Sequence, residues 1–225
     1  MKTGSTVFPR TIRAVLFDWN GVLINDEELH FEAFNKVLRT FGYQLTETEY
    51  KDHCLGRRDL DGFQILFHRL GWRIPVKYCV QAKAVHYREL ANRSSTVPLM
   101  KGVPQLIESL RKYMRLAIVT SADRGELEAL LKKAELLNVF DLLVTGEDVS
   151  RGKPDPEGYL SACESLGLKP HECAVLEDSP NTLDGLEGFG FFSVGIGDDR
   201  QFPIHARYMV LSSPEELLYS SVGSC

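Results

Sequence analysis

The sequence lacks any apolar run of the roughly 18 residues needed to cross a bilayer. Its first ten residues, Met1 to Arg10, hold no hydrophobic signal core, so secretion is not expected. It also lacks a Cys-x-x-Cys pair. The five cysteines, Cys54, Cys79, Cys163, Cys173 and Cys225, are scattered and odd in number, which speaks against a zinc site and against a disulfide framework. Reduced thiols in a cytoplasm are the expectation. No basic run stands out and the net charge is −5, so no nucleic-acid surface is expected. Internal repeats and low-complexity segments are missing as well. What remains is an ordinary globular composition, 44% hydrophobic and 25% charged. Its 225 residues suffice for one large domain or for a domain with an insert. The negative total does not exclude an anionic ligand, because a metal, a lysine and helix N-termini set the local field.

One stretch organises the rest: Ala14-Val15-Leu16-Phe17-Asp18-Trp19-Asn20-Gly21-Val22-Leu23. An apolar, β-forming run ends abruptly in a carboxylate. In an α/β protein this is how a buried central strand delivers a reactive group to its C-terminal edge. Asp18 and Asn20, two apart, can face the same ligand. Gly21 lets the backbone turn sharply and removes bulk beside the site.

After this strand the pattern turns helical. Glu27 to Phe41 carries apolar residues at helical spacing and stops at Gly42. Thr46 opens a second helix, with Glu49 placed for a capping box. Asp59 to Leu70 is a third, ended by Gly71, and Pro75 opens a fourth that runs to about Asn92. Arg93 to Thr96 reads as a linker back. From there helices and strands alternate. The strands are expected at Arg115–Val119, Phe140–Val144, Cys173–Leu176, Phe191–Gly195 and Tyr208–Leu211. The helices are expected from Val103 to Tyr113, from Asp123 to about Leu136, from an Asp155-Pro156 start to Gly167, and after Ser179-Pro180. Such alternation predicts an α/β fold with a doubly wound parallel sheet. Ligands then sit beyond the carboxyl ends of the strands, where Asp18, Thr120 and Asp178 would meet.

These residues suit phosphoryl chemistry. A carboxylate such as Asp18 can attack phosphorus and split one hard displacement into two easier ones. Thr120 and Ser121 lie where a hydroxyl and the N–H groups of a helix start suit phosphoryl oxygens. Lys153, held between glycine and proline, can offset charge on nucleophile and phosphoryl group alike. Glu177 and Asp178 crowd two acids at a strand end, which calls for a cation, and hard oxygen ligands favour Mg2+.

The same segments resemble the motifs of the haloacid dehalogenase-like superfamily. Asp18-Trp19-Asn20-Gly21-Val22-Leu23 resembles motif I, normally Asp-x-Asp-Gly-x-Leu. Thr120 matches motif II, Gly152-Lys153-Pro154-Asp155-Pro156 has the Gly-Lys-Pro-x-Pro form of motif III, and Glu177-Asp178-Ser179 resembles motif IV. The helical insert and the run Asp26 to Phe34 resemble the β-phosphoglucomutase-like branch, which carries a helical cap. The resemblance implies a Rossmannoid core at 11–25 and 96–225, a helical cap at 26–95 and a loose tail at 1–10. It implies Mg2+ held by Asp18, Asp178 and the backbone carbonyl of Asn20, with Glu177 beside them. His30 matches a histidine near the cap hinge, and Leu55-Gly56-Arg57-Arg58-Asp59 resembles the substrate-specificity loop. Arg57 or Arg58 can there grip a distal anionic group bidentately, or lie solvated at a helix start. No lysine occupies this loop, which argues against a phosphonate hydrolase using a cap-lysine Schiff base.

The departure is Asn20. In phosphatases and mutases of this superfamily, the acid here protonates the leaving group and later activates water. An amide cannot exchange a proton in that way, and general acid–base catalysis contributes about 10²–10⁴-fold. A sugar-phosphate mutase is therefore disfavoured. The leading expectation is a Mg2+-dependent phosphatase of a small phosphorylated metabolite that forms an aspartyl-phosphate at Asp18. Such an enzyme would be slow, prefer good leaving groups, or use a replacement acid such as His30. The alternatives are a binding or regulatory protein with a decayed site, and another reaction of the superfamily such as dehalogenation. A monomer or weak dimer meeting neither nucleic acid nor membrane completes the expectation.

Overall fold

The computed structural model describes residues 8–55, 57–93, 95–202 and 208–218. Residues 1–7 of the expected tail, Gly56 of the specificity segment, Ser94 of the expected linker and Cys225 lie outside them. Six parallel strands form one sheet: β1 (Ala14–Phe17), β2 (Arg115–Val119), β3 (Leu142–Val144), β4 (Cys173–Glu177), β5 (Phe192–Ile196) and β6 (Met209–Leu211). Their order is β3-β2-β1-β4-β5-β6. The apolar run of β1 is buried along its whole length because it lies in the middle of the sheet, flanked on both sides. Side chains of β1 alternate between two cores. Val15 and Phe17 join the layer built by α5 (Val103–Leu110) and α6 (Arg124–Lys133). Ala14 and Leu16 join the layer built by α7 (Glu157–Leu166). A short helix, α8 (Pro180–Gly185), follows β4. This is the doubly wound α/β architecture that the strand–helix alternation predicts.

Four helices intervene between β1 and α5: α1 (Glu27–Arg39), α2 (Glu47–His53), α3 (Asp59–Leu70) and α4 (Val76–Arg93). They enclose an apolar cluster of their own, centred on Phe34, Leu38, Phe63, Leu66 and Phe67. Their ends follow local chemistry. Thr46 and Glu49 form the predicted capping box, and Gly71 closes α3 in the left-handed conformation, φ +68°. The two passages between cap and core run side by side: Asn25 N–H donates to Pro98 C=O at 2.9 Å, and Met100 N–H to Leu23 C=O at 2.9 Å.

Some boundaries differ from the sequence reading. α5 ends at Leu110 and residues 111–113 form turns, with Tyr113 N–H donating to Leu110 C=O. α6 ends at Lys133, and Glu135 takes a positive φ of 60°. Asp155 lies one residue before the cap position of α7, although its Oδ1 still accepts the Glu157 N–H at 3.0 Å. Among the described residues, no helix is long and apolar enough to cross a membrane. Cys54, Cys79, Cys163 and Cys173 are buried free thiols.

Candidate active site

Sheet register assembles the site. Phe17 of β1 pairs with Ile118 of β2 and Leu176 of β4, so the carboxyl ends of the three strands lie level. The residues that follow Phe17 and Leu176 are Asp18 and Glu177, and Asp178 comes next. Asp18 N–H continues the ladder to Leu176 C=O at 2.9 Å before the chain leaves the sheet. Carboxylate oxygens of Asp18, Glu177 and Asp178 all lie within 4.8 Å of one another.

Lys153 closes this group from the loop before α7. Its Nζ donates to Asp18 Oδ1 at 2.6 Å and to Glu177 Oε2 at 2.7 Å. Tyr159 of α7 donates to the same Glu177 oxygen at 2.6 Å, and Ser179 N–H to Glu177 Oε1 at 3.2 Å. One ammonium thus faces three carboxylates. The imbalance is visible in their acidity. Burial, then the neighbouring Glu177, pushes the Asp18 carboxyl up to about 7 against the pull of Lys153. Burial, Glu177 and Asp18 hold Asp178 well above the ordinary carboxylate range. Burial opposes the charge on Lys153, yet Asp18 and Glu177 keep its pKa above the usual lysine value. Excess negative charge on close, hard oxygen donors fits a divalent cation such as Mg2+.

Gly21 is needed here for space as well as for its φ of +75°. A Cβ on residue 21 would stand 2.2 Å from Asp178 Oδ2. Gly21→Ala is therefore expected to destabilise the protein by at least about 2 kcal/mol, through backbone strain and a displaced Asp178. Urea unfolding reads this, and an unchanged midpoint would show that the turn relaxes freely.

Above the carboxylates lies a cavity of about 50 Å3 between core and cap. The expected residues Asp18, Asn20, His30, Arg57, Ser121, Lys153, Glu177 and Asp178 all border it. Ser121 Oγ is buried with no hydrogen-bond partner among the described residues. Thr120 and Arg58 instead border a smaller adjoining cavity, which Ser121 and Lys153 share. Thr120 Oγ1 accepts the Ala122 N–H at 3.1 Å, so it shapes the loop that presents Ser121 and Ala122. Arg58 is held by Asp61 at 2.8 Å and lies over Gly152, where a Cβ would stand 2.7 Å from its Nε.

The cavity is also bordered or backed by groups, from cap and core, that the sequence did not single out. Lys83 of α4 is fully buried and reaches His30 Nδ1 at 2.6 Å and Asp59 Oδ2 at 3.0 Å. Asp26, buried before α1, accepts from Asn20 Nδ2 at 2.8 Å and from the Tyr87 hydroxyl. Glu126 of α6 is buried at 3% exposure and borders the cavity. A signal for Lys83 was present: Cys79, Lys83, Tyr87 and Ala91 recur every four residues and form the buried stripe of α4. Glu126 lay hidden at the third helical position after Asp123, where a glutamate usually serves the helix start. Asp123 does accept the Glu126 N–H at 3.2 Å, but the Glu126 side chain turns to the cavity.

Comparison with known proteins agrees with this architecture. The sequence pattern of the family described as haloacid dehalogenase-like hydrolase matches residues 15–194. The chain is 31% identical over 212 residues to a phosphorylated carbohydrates phosphatase of Thermotoga maritima, covering 92% of this chain and 97% of that one. It is 31% identical over 185 residues to the validoxylamine A 7'-phosphate phosphatase of Streptomyces hygroscopicus subsp. limoneus, covering 82% and 85%. Among solved structures, CbbY from Rhodobacter sphaeroides in complex with phosphate superposes with a TM-score of 0.81 at 28% identity, over 92% of this chain and 96% of that one.

Proposed function

The chain belongs to the haloacid dehalogenase-like hydrolases, and on that premise we propose that it is a Mg2+-dependent phosphatase of a small phosphorylated carbohydrate. One observation carries the proposal: Lys153 bridges Asp18 and Glu177 at the floor of the cavity, with Asp178 beside them. The phosphatases from Thermotoga and Streptomyces support the substrate class.

Asp18 attacks phosphorus through a carboxylate oxygen while the bond to the leaving oxygen breaks. Lys153 steadies the carboxylate before attack and the phosphoryl oxygens during it. Ser121 Oγ and the N–H groups at the start of α6 bind the outer oxygens. Glu177, fixed by Tyr159 and Ser179, keeps Lys153 in place. Asp18, Asp178 and the Asn20 carbonyl would hold Mg2+, whose charge offsets that of the phosphoryl group. A cavity of about 50 Å3 is far below the roughly 300 Å3 or more of a small-molecule site, so substrate enters when the cap swings away. The paired passages at Asn25–Pro98 and Leu23–Met100 are the hinge. Buried reduced thiols suit a cytoplasmic protein.

A second reading, a binding or regulatory protein, is favoured by one residue, Asn20. The test is phosphate release from a panel of sugar phosphates with Mg2+ or EDTA, for this protein and for Asn20→Asp. Release that requires Mg2+ is expected from the protein as it stands. Activity in Asn20→Asp alone would favour the second reading, and inactivity of both proteins would remove the phosphatase assignment.

A further inference from the structure

If the protein turns over phosphomonoesters, a proton must come from somewhere other than position 20. Asn20 cannot supply it: its Nδ2 donates to Asp26 Oδ1 at 2.8 Å and its amide does not titrate. His30 is the obvious substitute, but its neighbours occupy both ring nitrogens. Lys83 Nζ, 2.6 Å from Nδ1, has only hydrogens to offer, so Nδ1 is the acceptor. The ring hydrogen then sits on Nε2, which faces Asp26 Oδ2 at 3.2 Å. The 3.1 Å approach of Asn20 Nδ2 to Nε2 is a meeting of two donors that both turn to Asp26. His30 thus orders Asp26 and Lys83 and has no free proton for the cavity.

Another titratable group on this wall, a carboxyl, has an oxygen that is not committed to a hydrogen bond. Glu126 Oε1 is buried and has no hydrogen-bond partner among the described residues. His30 Nε2 lies 3.6 Å from it, beyond hydrogen-bond distance. Glu126 belongs to the core helix that follows the Thr120-Ser121 loop and borders the same cavity as Asp18 and Lys153, so it stays with the core when the cap moves.

Resting on the phosphatase reading above, we propose that Glu126 is the general acid and base of this site, in the role that Asn20 cannot fill. In the first step Asp18 forms a bond to phosphorus, the phosphorus–alkoxide bond breaks, and the Glu126 carboxyl gives its proton to the departing oxygen. In the second step a water oxygen attacks the aspartyl-phosphate, and Glu126, now a carboxylate, takes the proton of that water. Phosphate leaves, and Asp18 and Glu126 return to their starting forms. The groups facing Glu126 are His30 from α1, Lys83 from α4, Asp59 from α3 and Asp26 before α1. Burial raises the pKa of the Glu126 carboxyl against the pull of Lys83, which favours a protonated resting form.

Glu126→Gln tests this with two substrates. An alkyl sugar phosphate needs its leaving oxygen protonated, whereas p-nitrophenyl phosphate releases a stable anion unaided. Steady-state turnover of both is expected to fall by about 10²–10³-fold, because the second step needs the base in either case. The pre-steady-state burst of p-nitrophenolate should keep its parental rate within about threefold, since attack by Asp18 needs no acid. Glu126→Gln/Asn20→Asp should regain turnover, because the acid returns at position 20. A burst that falls as far as turnover would overturn the proposal in favour of a structural role, and so would unchanged turnover. Should Glu126→Gln fail to melt cooperatively, Glu126→Asp, which keeps the carboxyl, is expected to fold and retain intermediate turnover; loss as complete as in Glu126→Ala would count against the assignment. An active parent whose turnover Glu126→Gln leaves unchanged removes Glu126 alone, whereas a parent that is inactive where Asn20→Asp is active removes Glu126 and favours the binding or regulatory reading. Inactivity of both removes the phosphatase reading beneath it.

Discussion

Asp18→Asn is expected to lower phosphate release by at least about 10⁴-fold while making the metal-free protein more stable at neutral and alkaline pH. The two effects have one cause. Asp18 is nearly buried, beside Glu177 and Asp178, and holds its charge only because Lys153 lies 2.6 Å away. Its carboxyl titrates at about 7 in the fold against an ordinary 3.8, so keeping it ionised above pH 7 costs on the order of 4 kcal/mol. Because the folded value is raised, the cost is absent below pH 3.8, grows as pH rises and is complete above about 7. An amide of the same shape escapes the cost but cannot attack phosphorus. Urea unfolding in EDTA at pH 5 and pH 8 should therefore show a gain for Asp18→Asn that is larger at pH 8. Turnover within about tenfold of the parent would remove the nucleophile assignment. A stability gain independent of pH would show that ionisation of Asp18 is not its source.

The core of this picture was legible in the sequence because it is local. A β-forming run that ends in Asp18, and another that ends in Glu177-Asp178, reveal strand ends without knowledge of their neighbours. A parallel sheet then brings such ends together. Capping chemistry placed the starts of α2 and α6 through Thr46 and Asp123. The cap–core interface was not legible in this way. Lys83, Asp26 and Glu126 are separated by up to a hundred residues of chain and meet only after α4 folds back over α6. Each also carries an ordinary local explanation: a helix-surface lysine, an aspartate before a helix, a glutamate in a first turn. Arg58 shows the same limit. Its local setting at a helix start leaves its direction open, and only the close approach of Gly152 in the folded core lets it lie where it does.

Lys153→Met tests the charge balance from the other side. Removing the ammonium leaves Asp18 and Glu177 buried without their shared partner. Breaking a buried pair by deleting one member costs about 3–5 kcal/mol, well above what a lost exposed ion pair would cost. Packing is a small part of this, since methionine fills most of the volume. The loss should therefore depend on charge. Lys153 has a folded pKa above its ordinary one, so its contribution is present throughout the neutral range and would be lost only at strongly alkaline pH. Its main partner Asp18 takes a proton near pH 7, so the deficit of Lys153→Met should shrink as pH falls toward 5 and widen toward 8. Mg2+ should recover part of the stability at pH 8, because a divalent cation at Asp18 and Asp178 restores positive charge to the same cluster. It should not recover turnover, which is expected to stay about 10²–10³-fold down, because the ammonium aimed at the phosphoryl oxygens is gone. A deficit that ignores both pH and Mg2+ would mean that Lys153 holds the site by packing, with no role in balancing its charge.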